Sequence, residues 1–308
     1  MPLDSLLKQY LNLFWLRPEN ALFNTFKSAS YDSLKFESPS LDLSCGDGIF
    51  QAIHLGAQFY DDFDYYTSTN AANFSHENFI DIYDHFEADY QVNYLSKPET
   101  KIDVGTDWKQ ELLDKAEKTG LFKELILHDN NNLPLPFHDD YFKTIYSNSI
   151  YWVQDVNSLI KELYRISRPD AVVGLQVMSP SIFETFEFLE QILSSKAVSI
   201  LDRQRRATMP SLKTVPEWKE IFENSEFTIE KIVPTFPDNS FVHIWNIGLR
   251  PISHLLIRMT ESLSNEDKKS IKKEWVEIFY ELFKPLLNNK PSLSLDESSY
   301  TYFQLKKS

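Results

Sequence analysis

The residues best suited to binding chemistry form one short run, in which an apolar segment ends in an acid and two glycines stand one residue apart. The run is Leu41-Asp42-Leu43-Ser44-Cys45-Gly46-Asp47-Gly48. A glycine at a strand-to-helix corner takes positive φ and lets the backbone approach a ligand, and the helix that follows presents free N–H groups. The run therefore predicts a loop that holds a cofactor.

The spacing of these glycines excludes two other kinds of site. Gln51 stands where the dinucleotide pattern G-x-G-x-x-G needs its third glycine, and no G-K-[ST] follows that would make a phosphate loop. For the glycines taken alone, a tight turn with no ligand remains the alternative.

The same run resembles motif I of the class I S-adenosylmethionine-dependent methyltransferases, L-D-[LV]-G-C-G-x-G, and in particular their small-molecule, type 11-like branch. Later segments resemble further motifs of that family in the same order, namely Lys101–Gly105, His128–Asp129 with Leu133–Phe137, Tyr141–Val153 and Leu163–Pro169. The resemblance implies an α/β fold, a Rossmann-like seven-stranded methyltransferase sheet with helices on both faces and helical cap insertions. It also implies S-adenosyl-L-methionine as the cofactor.

The resemblance assigns cofactor contacts to residues at the ends of the predicted strands. Asp103 would end the second strand and accept the ribose hydroxyls, a task that suits a carboxylate at the carboxyl end of a parallel strand. A solvated loop acid is the alternative for this residue. Val104 would lie against the adenine, and Asp129 and Asn130 would meet its polar edge. The other implied cofactor positions are Asp42, Ser44, Gly46, Asp47, Gly48 and Ser147.

Two positions depart from the family pattern. Ser44 replaces the first glycine of motif I, which narrows the space for the methionine end of the cofactor. Arg168-Pro169-Asp170-Ala171 replaces the usual K-P-G-G turn, so the chain must turn without a glycine or with Asp170 in the left-handed conformation.

Composition and charge limit the function classes. A hydrophobic content of 42% with 25% charged residues is typical of a globular protein, and the net charge of −14 argues against a nucleic-acid partner. Cys45 is the single cysteine, so no intrachain disulfide forms and a reducing, cytoplasmic setting is expected. The sequence predicts neither a signal peptide nor a transmembrane segment. It gives no oligomeric state.

Apolar periodicity divides the chain into a helical N-terminal part and a sheet domain. Residues 4–34 predict two helices that part at Arg17-Pro18, the first capped by Asp4, and residues 1–36 would form an N-terminal helical cap. The methyltransferase domain would span residues 37–308.

The distance from Gly48 to Asp103 exceeds an ordinary βαβ crossover of about 30 residues, so the sequence predicts an insertion at about 55–97. This segment is rich in acids and aromatic residues, a combination that binds sugars and cations. A packed insertion with a solvated acidic face is the alternative. No metal site is predicted, since the acids lack the spacing of a calcium loop.

The C-terminal half predicts the remaining strands and a second insertion. Strand five would cover residues 171–178, one helix residues 182–201, another residues 214–226, and strand six residues 227–233. Residues 299–305 would form the last, antiparallel strand. The second insertion, at about 236–298, would contain a helix capped by Ser264, with one apolar face made of Ile271, Trp275, Ile278, Phe279, Leu282 and Leu286.

These patterns together predict a methyltransferase acting on a small molecule or on a glycan or lipid intermediate, by O- or N-methylation. A catalytically silent Rossmann-like module that binds a nucleoside ligand or a protein is the alternative, because Ser44 departs from the pattern and no general base is evident. The acceptor would lie under a lid formed by the N-terminal helices and both insertions, with plain core packing as the alternative for its aromatic residues. The candidate bases are Tyr151, His128 and His138, and the candidate substrate contacts are Tyr151, Trp152, Trp15 and Trp245.

Overall fold

The structure, a computed structural model, describes residues 1–66, 90–238, 240–289 and 292–307. Its strands are β1 (Ser40–Leu43), β2 (Gln58–Phe59), β3 (Tyr94–Ser96), β4 (Ile102–Asp107), β5 (Phe122–Leu127), β6 (Phe142–Ser147), β7 (Ser167–Met178), β8 (Phe227–Pro234) and β9 (Tyr300–Lys307). Seven of them form one sheet in the order β5-β4-β1-β6-β7-β9-β8, while β2 and β3 form a small antiparallel pair.

The described α-helices lie before and between the strands. They are α1 (Leu3–Leu13), α2 (Pro18–Ser30), α3 (Ile49–His54), α4 (Gln110–Thr119), α5 (Val156–Ile166), α6 (Glu184–Leu189), α7 (Ser195–Asp202), α8 (Val215–Asn224), α9 (Ser240–Ile247), α10 (Ser253–Glu261) and α11 (Asn265–Phe283).

Helices α3, α4 and α5 follow β1, β4 and β6 and return the chain toward the same edge of the sheet, so the central strands run parallel. Strand β1 is buried throughout and pairs with β4 on one side and β6 on the other. Strand β9 runs antiparallel between β7 and β8. The predicted seven-stranded α/β sheet, with its C-terminal antiparallel strand, is confirmed.

Helices cover both faces of the sheet. On one face α5 and α8 pack through Leu159, Leu163, Trp218 and Phe222, which recur at helical spacing and are fully buried. On the other face α1, α2, α3 and α9 contribute to one apolar cluster with Tyr300 of β9. The N-terminal helices therefore share a core with the sheet.

Three sequence-based expectations about single elements are corrected. Pro2, and not Asp4, stands at the N-cap of α1. The single helix expected over residues 182–201 is two helices, because Ser194 accepts the N–H of Ala197 and starts α7 afresh. In α11, capped by Ser264 as predicted, the buried positions are Lys272 and Phe283, while the side chains of Ile271, Ile278 and Leu282 are exposed.

The turn before strand five is made as the sequence requires. Asp170 has φ of 64°, the left-handed conformation that replaces the glycines of the family pattern. This turn lies within the observed span of β7, at the amino-terminal edge of the sheet.

Helices α1 and α11 both contact the described part of the first insertion. Asn12 of α1 lies within hydrogen-bond distance of the Tyr60 and Phe63 carbonyls, and Lys272 of α11 bonds to the Asp61 carbonyl at 2.5 Å. Residues 67–89 of the predicted first insertion lie outside the described residues. Among the helices described, none combines the length and the apolar character needed to span a bilayer.

Candidate functional site

The loop between β1 and α3 contains three residues in the left-handed conformation. Ser44, Gly46 and Gly48 have φ of 64°, 59° and 74°. A methyl group on Gly48 would meet the Phe122 ring at 2.9 Å, whereas a methyl group on Gly46 would have no atom within 4 Å. Gly48 is therefore required for packing, and Gly46 lies beside open space where a ligand can approach the backbone.

The loop is tied to the end of the neighbouring strand β4. The Cys45 N–H donates to the Thr106 carbonyl at 2.7 Å, and the Gly46 N–H donates to Oδ2 of Asp107 at 3.0 Å. Oδ1 of Asp107 accepts the Lys109 N–H at 3.1 Å. Asp107 thus lies at the carboxyl end of β4, directly beside the glycine loop, and each oxygen retains accepting capacity for a ligand hydroxyl.

This placement corrects the prediction for Asp103. Asp103 is the second residue of β4, at the opposite edge of the sheet, where its carboxylate accepts from Ser40 and from the Lys123 ammonium at 2.6 Å. Desolvation works against these partners, but the pKa of Asp103 is lowered overall. The acid that ends the second main-sheet strand is Asp107, whose pKa is raised by burial although backbone N–H groups oppose the shift.

The residue next to the strand-end acid also changes, from Val104 to Trp108. Val104 is buried inside the sheet and cannot lie against a ligand. Trp108 follows Asp107, and its side chain is 55% exposed. The sequence pattern alone does not indicate Trp108 as a ligand contact. Its place beside the strand-end acid follows once the end of β4 is known.

The loop after β5 reaches the same edge. Asn130 Nδ2 donates to the Ser44 hydroxyl at 2.8 Å, so this loop is bonded to the glycine loop. Oδ1 of Asn130 and Nε2 of His128 are buried and have no partner among the described atoms. An unpaired buried acceptor is costly and fits a ligand N–H donor such as the adenine amino group. Asp129 accepts the Asn131 N–H and keeps its second oxygen unengaged by the described residues.

Asp42 lies buried beneath the loop, near Lys27 of α2. Burial raises the pKa of Asp42 to about 8, partly offset by Lys27. Burial likewise lowers the pKa of Lys27, whose ammonium lies 4.6 Å from the centre of the Phe50 ring. The two groups are desolvated behind the glycine loop and interact electrostatically.

Asp47 closes the loop on the side of the first insertion. Its Oδ1 accepts the Ile49 N–H at 3.0 Å and the Tyr65 hydroxyl at 3.4 Å. Burial raises the pKa of Asp47, and Lys115 opposes this. Burial also raises the pKa of Cys45, so its thiol does not serve as a nucleophile.

The end of β6 and the turn after it form the other wall. The Ser147 hydroxyl is buried and donates to the Leu43 carbonyl at 2.8 Å, so it holds β6 against the start of the glycine loop. Tyr151 is buried beside Tyr300, while Trp152 is half exposed. Burial raises the pKa of Tyr151, which disfavours a phenolate base.

The other two predicted substrate tryptophans are buried and pack against other side chains. Trp15 is buried and donates from Nε1 to Asp64 at 3.1 Å, against the Trp275 ring of α11. Trp245 stacks on Phe23, with the Arg205 guanidinium 3.6 Å from its ring centre. Trp245 therefore lies behind Phe23 and Tyr300, whereas Trp15 packs between the first insertion and α11.

The two candidate histidine bases lie at opposite edges of the sheet. His138 is exposed and stands four residues before β6, on the amino-terminal side of the sheet, so its assignment is wrong. His128 follows β5 at the carboxyl edge, and burial lowers its pKa, which keeps the ring neutral at pH 7. Within the described ranges, no three or more His, Cys, Asp or Glu residues are grouped to hold a metal ion.

Comparison with known proteins gives one family match. A family model described as a methyltransferase domain matches residues 89–175, the part of the chain that holds β4 to β7. Demethylmenaquinone methyltransferase of Lactobacillus johnsonii is 32% identical over 77 residues, covering 23% of this chain and 32% of that enzyme. The chain thus matches about a third of the length of this curated relative.

Two solved structures are similar to this chain at low sequence identity. A methyltransferase of Thermotoga maritima, described as S-adenosylmethionine-dependent and as a possible histamine N-methyltransferase, has a TM-score of 0.50 and 13% identity, covering 92% of this chain and 89% of that chain. An S-adenosylmethionine-dependent methyltransferase of Mesorhizobium loti has a TM-score of 0.46 and 14% identity, covering 90% and 95%. The first of these likenesses shows a common fold.

Proposed function

We propose that this chain is a class I S-adenosylmethionine-dependent methyltransferase, and that it transfers a methyl group to a small molecule or to a glycan or lipid intermediate, on oxygen or nitrogen. The methyltransferase family model over residues 89–175 and the fold shared with the Thermotoga maritima protein support this proposal. One observation supports this most. The positive-φ loop at residues 44–48 is bonded to the strand-end acid Asp107 and lies beside the unpaired oxygen of Asn130.

The proposed cofactor contacts follow the edge of the sheet from β5 to β6. Asp107 accepts the ribose hydroxyls and Trp108 covers one adenine face, in place of Asp103 and Val104. Asn130 and Asp129 accept from the adenine amino group. The methionine end lies over the loop, with contacts from Asp42, Ser44, Gly46, Asp47, Gly48 and Ser147.

The protein's part in the transfer is positioning and exclusion of water. When bound, the cofactor supplies a methyl group on a positively charged sulfur, and the acceptor atom displaces that sulfur in line. Tyr151 and Tyr300, backed by Phe23, hold an apolar wall next to the loop. For a hydroxyl acceptor, neutral His128 is the base candidate on this edge, while an amine acceptor needs no base beyond its own lone pair.

The same edge favours a neutral or cationic acceptor over an anionic one. Asp47 and Asp107 lie around the loop, and the described part of the first insertion adds Asp61 and Asp62. A phosphate-rich acceptor would be repelled by these carboxylates. We further propose a cytoplasmic protein with residues 1–36 as a cap and residues 37–308 as the methyltransferase domain.

A silent binding module remains the second proposal, because Ser44 carries a side chain where the family pattern has glycine. Its hydroxyl is bonded to Asn130 and lies on the loop that must accommodate the methionine end. Such a protein would bind the nucleoside product, or nothing at this edge, and would transfer no methyl group.

Titration calorimetry with S-adenosylmethionine and S-adenosylhomocysteine tests both proposals. We expect the parent to bind both ligands, and Asp107→Asn to lose at least about tenfold in affinity, as for a hydrogen bond to a charged group. Asp103→Asn is the matched control and should bind as the parent does. Absence of binding by the parent would overturn the cofactor assignment.

Methyl transfer is then measured with methyl-labelled cofactor and a panel of amines, sugars and prenyl lipids. Labelled product that disappears in Asp107→Asn supports the enzyme. Tight binding without any labelled product across the panel supports the silent module.

A further inference from the structure

Helix α11 carries a line of apolar side chains that faces solvent. Their spacing of four, three and four residues is that of a coiled-coil seam, and the residues are Ile271, Trp275, Ile278 and Leu282. Ile271, Ile278 and Leu282 are 41%, 52% and 60% exposed, while Trp275 is half-buried against the Trp15 ring. A helix that only covers its own domain turns such a face inward. We call these four residues the α11 seam.

One edge of the α11 seam is acidic. Counting 100° per residue, Glu274 and Glu281 lie about 40° and about 60° from Ile278 on the same side, and Glu277 lies beyond them. All three carboxylates are exposed, and none of them forms an ion pair or a side-chain hydrogen bond within the described part of the chain. We call these three glutamates the acidic edge. Glu274 and Glu281 hold the g positions of the heptad pattern, which pair with charges on a partner helix.

The cations of α11 do not neutralise this edge. Lys272 is buried, and Lys269 lies 3.6 Å from a carboxylate of the first insertion. Lys273 lies on the far side of the helix, about 140° from Ile278 by the same count. Lys268 stands before the α11 seam begins. The charge that borders the exposed apolar residues is therefore negative and open to a cationic partner.

We propose that the α11 seam binds a basic amphipathic helix of a different protein. Apolar residues of that helix would cover the α11 seam, and its Lys or Arg residues would pair with the acidic edge. The net charge of −14 of this chain favours the encounter with a cationic partner.

A second copy of this chain does not fit the α11 seam. In an antiparallel two-fold pair the g positions meet each other, which would bring Glu274 and Glu281 of both copies together. In a parallel pair each g position meets an e position, and here the e positions are Lys272, which is buried, and Phe279, which is half-buried. An anionic bilayer is likewise excluded, because the acidic edge is repelled by its surface.

Fluorescence anisotropy with the full chain and labelled peptides tests the proposal without cofactor, so its outcome is independent of the proposed methyl transfer. The probe is a helical peptide of about three heptads with Leu at a and d and Lys at e and g. Two matched peptides carry Glu at e and g, or the residues of the probe in scrambled order. We expect the Lys peptide to bind at least about tenfold more tightly than either of them, because only it offers both an apolar seam and cations at the matching edge.

Two double variants with the same added charge locate the contact. Ile278→Glu/Leu282→Glu should bind the Lys peptide at least about tenfold more weakly, because it removes the apolar surface of the α11 seam. Leu255→Glu/Met259→Glu is the matched control at exposed apolar positions of α10 and should bind at least as tightly as the parent. All four side chains are exposed, so the fold is retained, and circular dichroism verifies this.

Reversal of the charge tests the acidic edge. Glu274→Lys/Glu281→Lys should exchange the preference, so that the Glu peptide binds more tightly than the Lys peptide. Equal binding of the Lys peptide and its scrambled form would overturn the proposal, as would an unchanged preference after charge reversal. A dimer in sedimentation velocity that only Ile278→Glu/Leu282→Glu dissociates would also overturn it, since the α11 seam would then belong to a second copy of the chain.

Discussion

At the glycine loop, two separate features favour glycine at position 46, namely its backbone angle and the open space beside it. Its φ of 59° disfavours any side chain, and no atom lies within 4 Å of an added methyl group. We expect Gly46→Ala to lower the free energy of unfolding by about 1 kcal/mol through the left-handed angle. It should also lower the affinity for S-adenosylhomocysteine, because the methyl group occupies the ligand's approach to the backbone.

Gly120 separates these two effects. It ends α4 with φ of 61°, likewise with no atom within 4 Å of an added methyl group, and it lies outside the loop, directly after Thr119, which packs against Gly48. Gly120→Ala should therefore lose similar stability in urea unfolding and keep full ligand affinity by calorimetry. Equal affinities of the two variants would show that the ligand does not approach Gly46.

The buried acid Asp42 predicts a pH dependence of stability. Burial raises its pKa to about 8 from the ordinary value of 3.8. Between these values the unfolded chain has released a proton that the folded protein keeps. The free energy of unfolding should therefore fall as pH rises through this window, by up to about 1.4 kcal/mol per pH unit from this group.

Asp42→Asn removes this contribution while Lys27 remains in both proteins. Urea unfolding from about pH 5 to about pH 8 should show the variant gaining stability relative to the parent as pH rises. A difference that stays constant across the range would mean that Asp42 is ionised throughout.

At the residue scale, the local sequence does not determine which of the two acids of β4 ends the strand. Both Asp103 and Asp107 follow an apolar residue or a small one in the same short segment. Which of them ends the strand depends on pairing, since Leu43 at the end of β1 lies opposite Thr106. A register of this kind is set by the neighbouring strand, so the local pattern fixed the presence of the acid and not its position.

At the scale of elements, strands were predicted well because buried parallel strands are continuous apolar runs. The helices between residues 182 and 202 were predicted less well. Ile192 and Leu193 continue an apolar pattern but are exposed in the link between α6 and α7. Periodicity predicts one helix through these residues, because it does not distinguish a buried face from an exposed apolar surface.

Strand β9 makes a prediction of its own, since it pairs on both sides within the sheet. Phe303 is fully buried there and contacts the Phe222 ring of α8 at 5.0 Å between centres. Phe303→Ala should cost about 3–5 kcal/mol of unfolding free energy by creating a cavity. Phe188→Ala, at an exposed position of α6, should stay within about 0.5 kcal/mol of the parent. Urea unfolding measures both costs. Equal costs for the two variants would contradict the buried placement of β9.

At the scale of the whole molecule, one buried ion pair joins three distant segments. Lys272 of α11 donates to Asp64 at 2.7 Å, and Asp64 also accepts from Trp15 of α1 at 3.1 Å. The contact joins residues more than two hundred positions apart, which no local pattern could predict. It explains why Lys272, on the polar side of the predicted helix, is buried.

Breaking this pair should loosen the helices over the sheet. Lys272→Met leaves the Asp64 carboxylate buried without its ammonium partner, which should cost about 3–5 kcal/mol. Hydrogen exchange should rise first in α1 and α11 and leave β1 and β6 protected, because the sheet core does not depend on this contact. Asp64→Asn/Lys272→Met removes both charges, and its amide oxygen can still accept from Trp15. The double variant should therefore recover most of the lost stability. If the single and double variants were equally destabilised, the loss would come from packing around Lys272 and not from an unpaired charge.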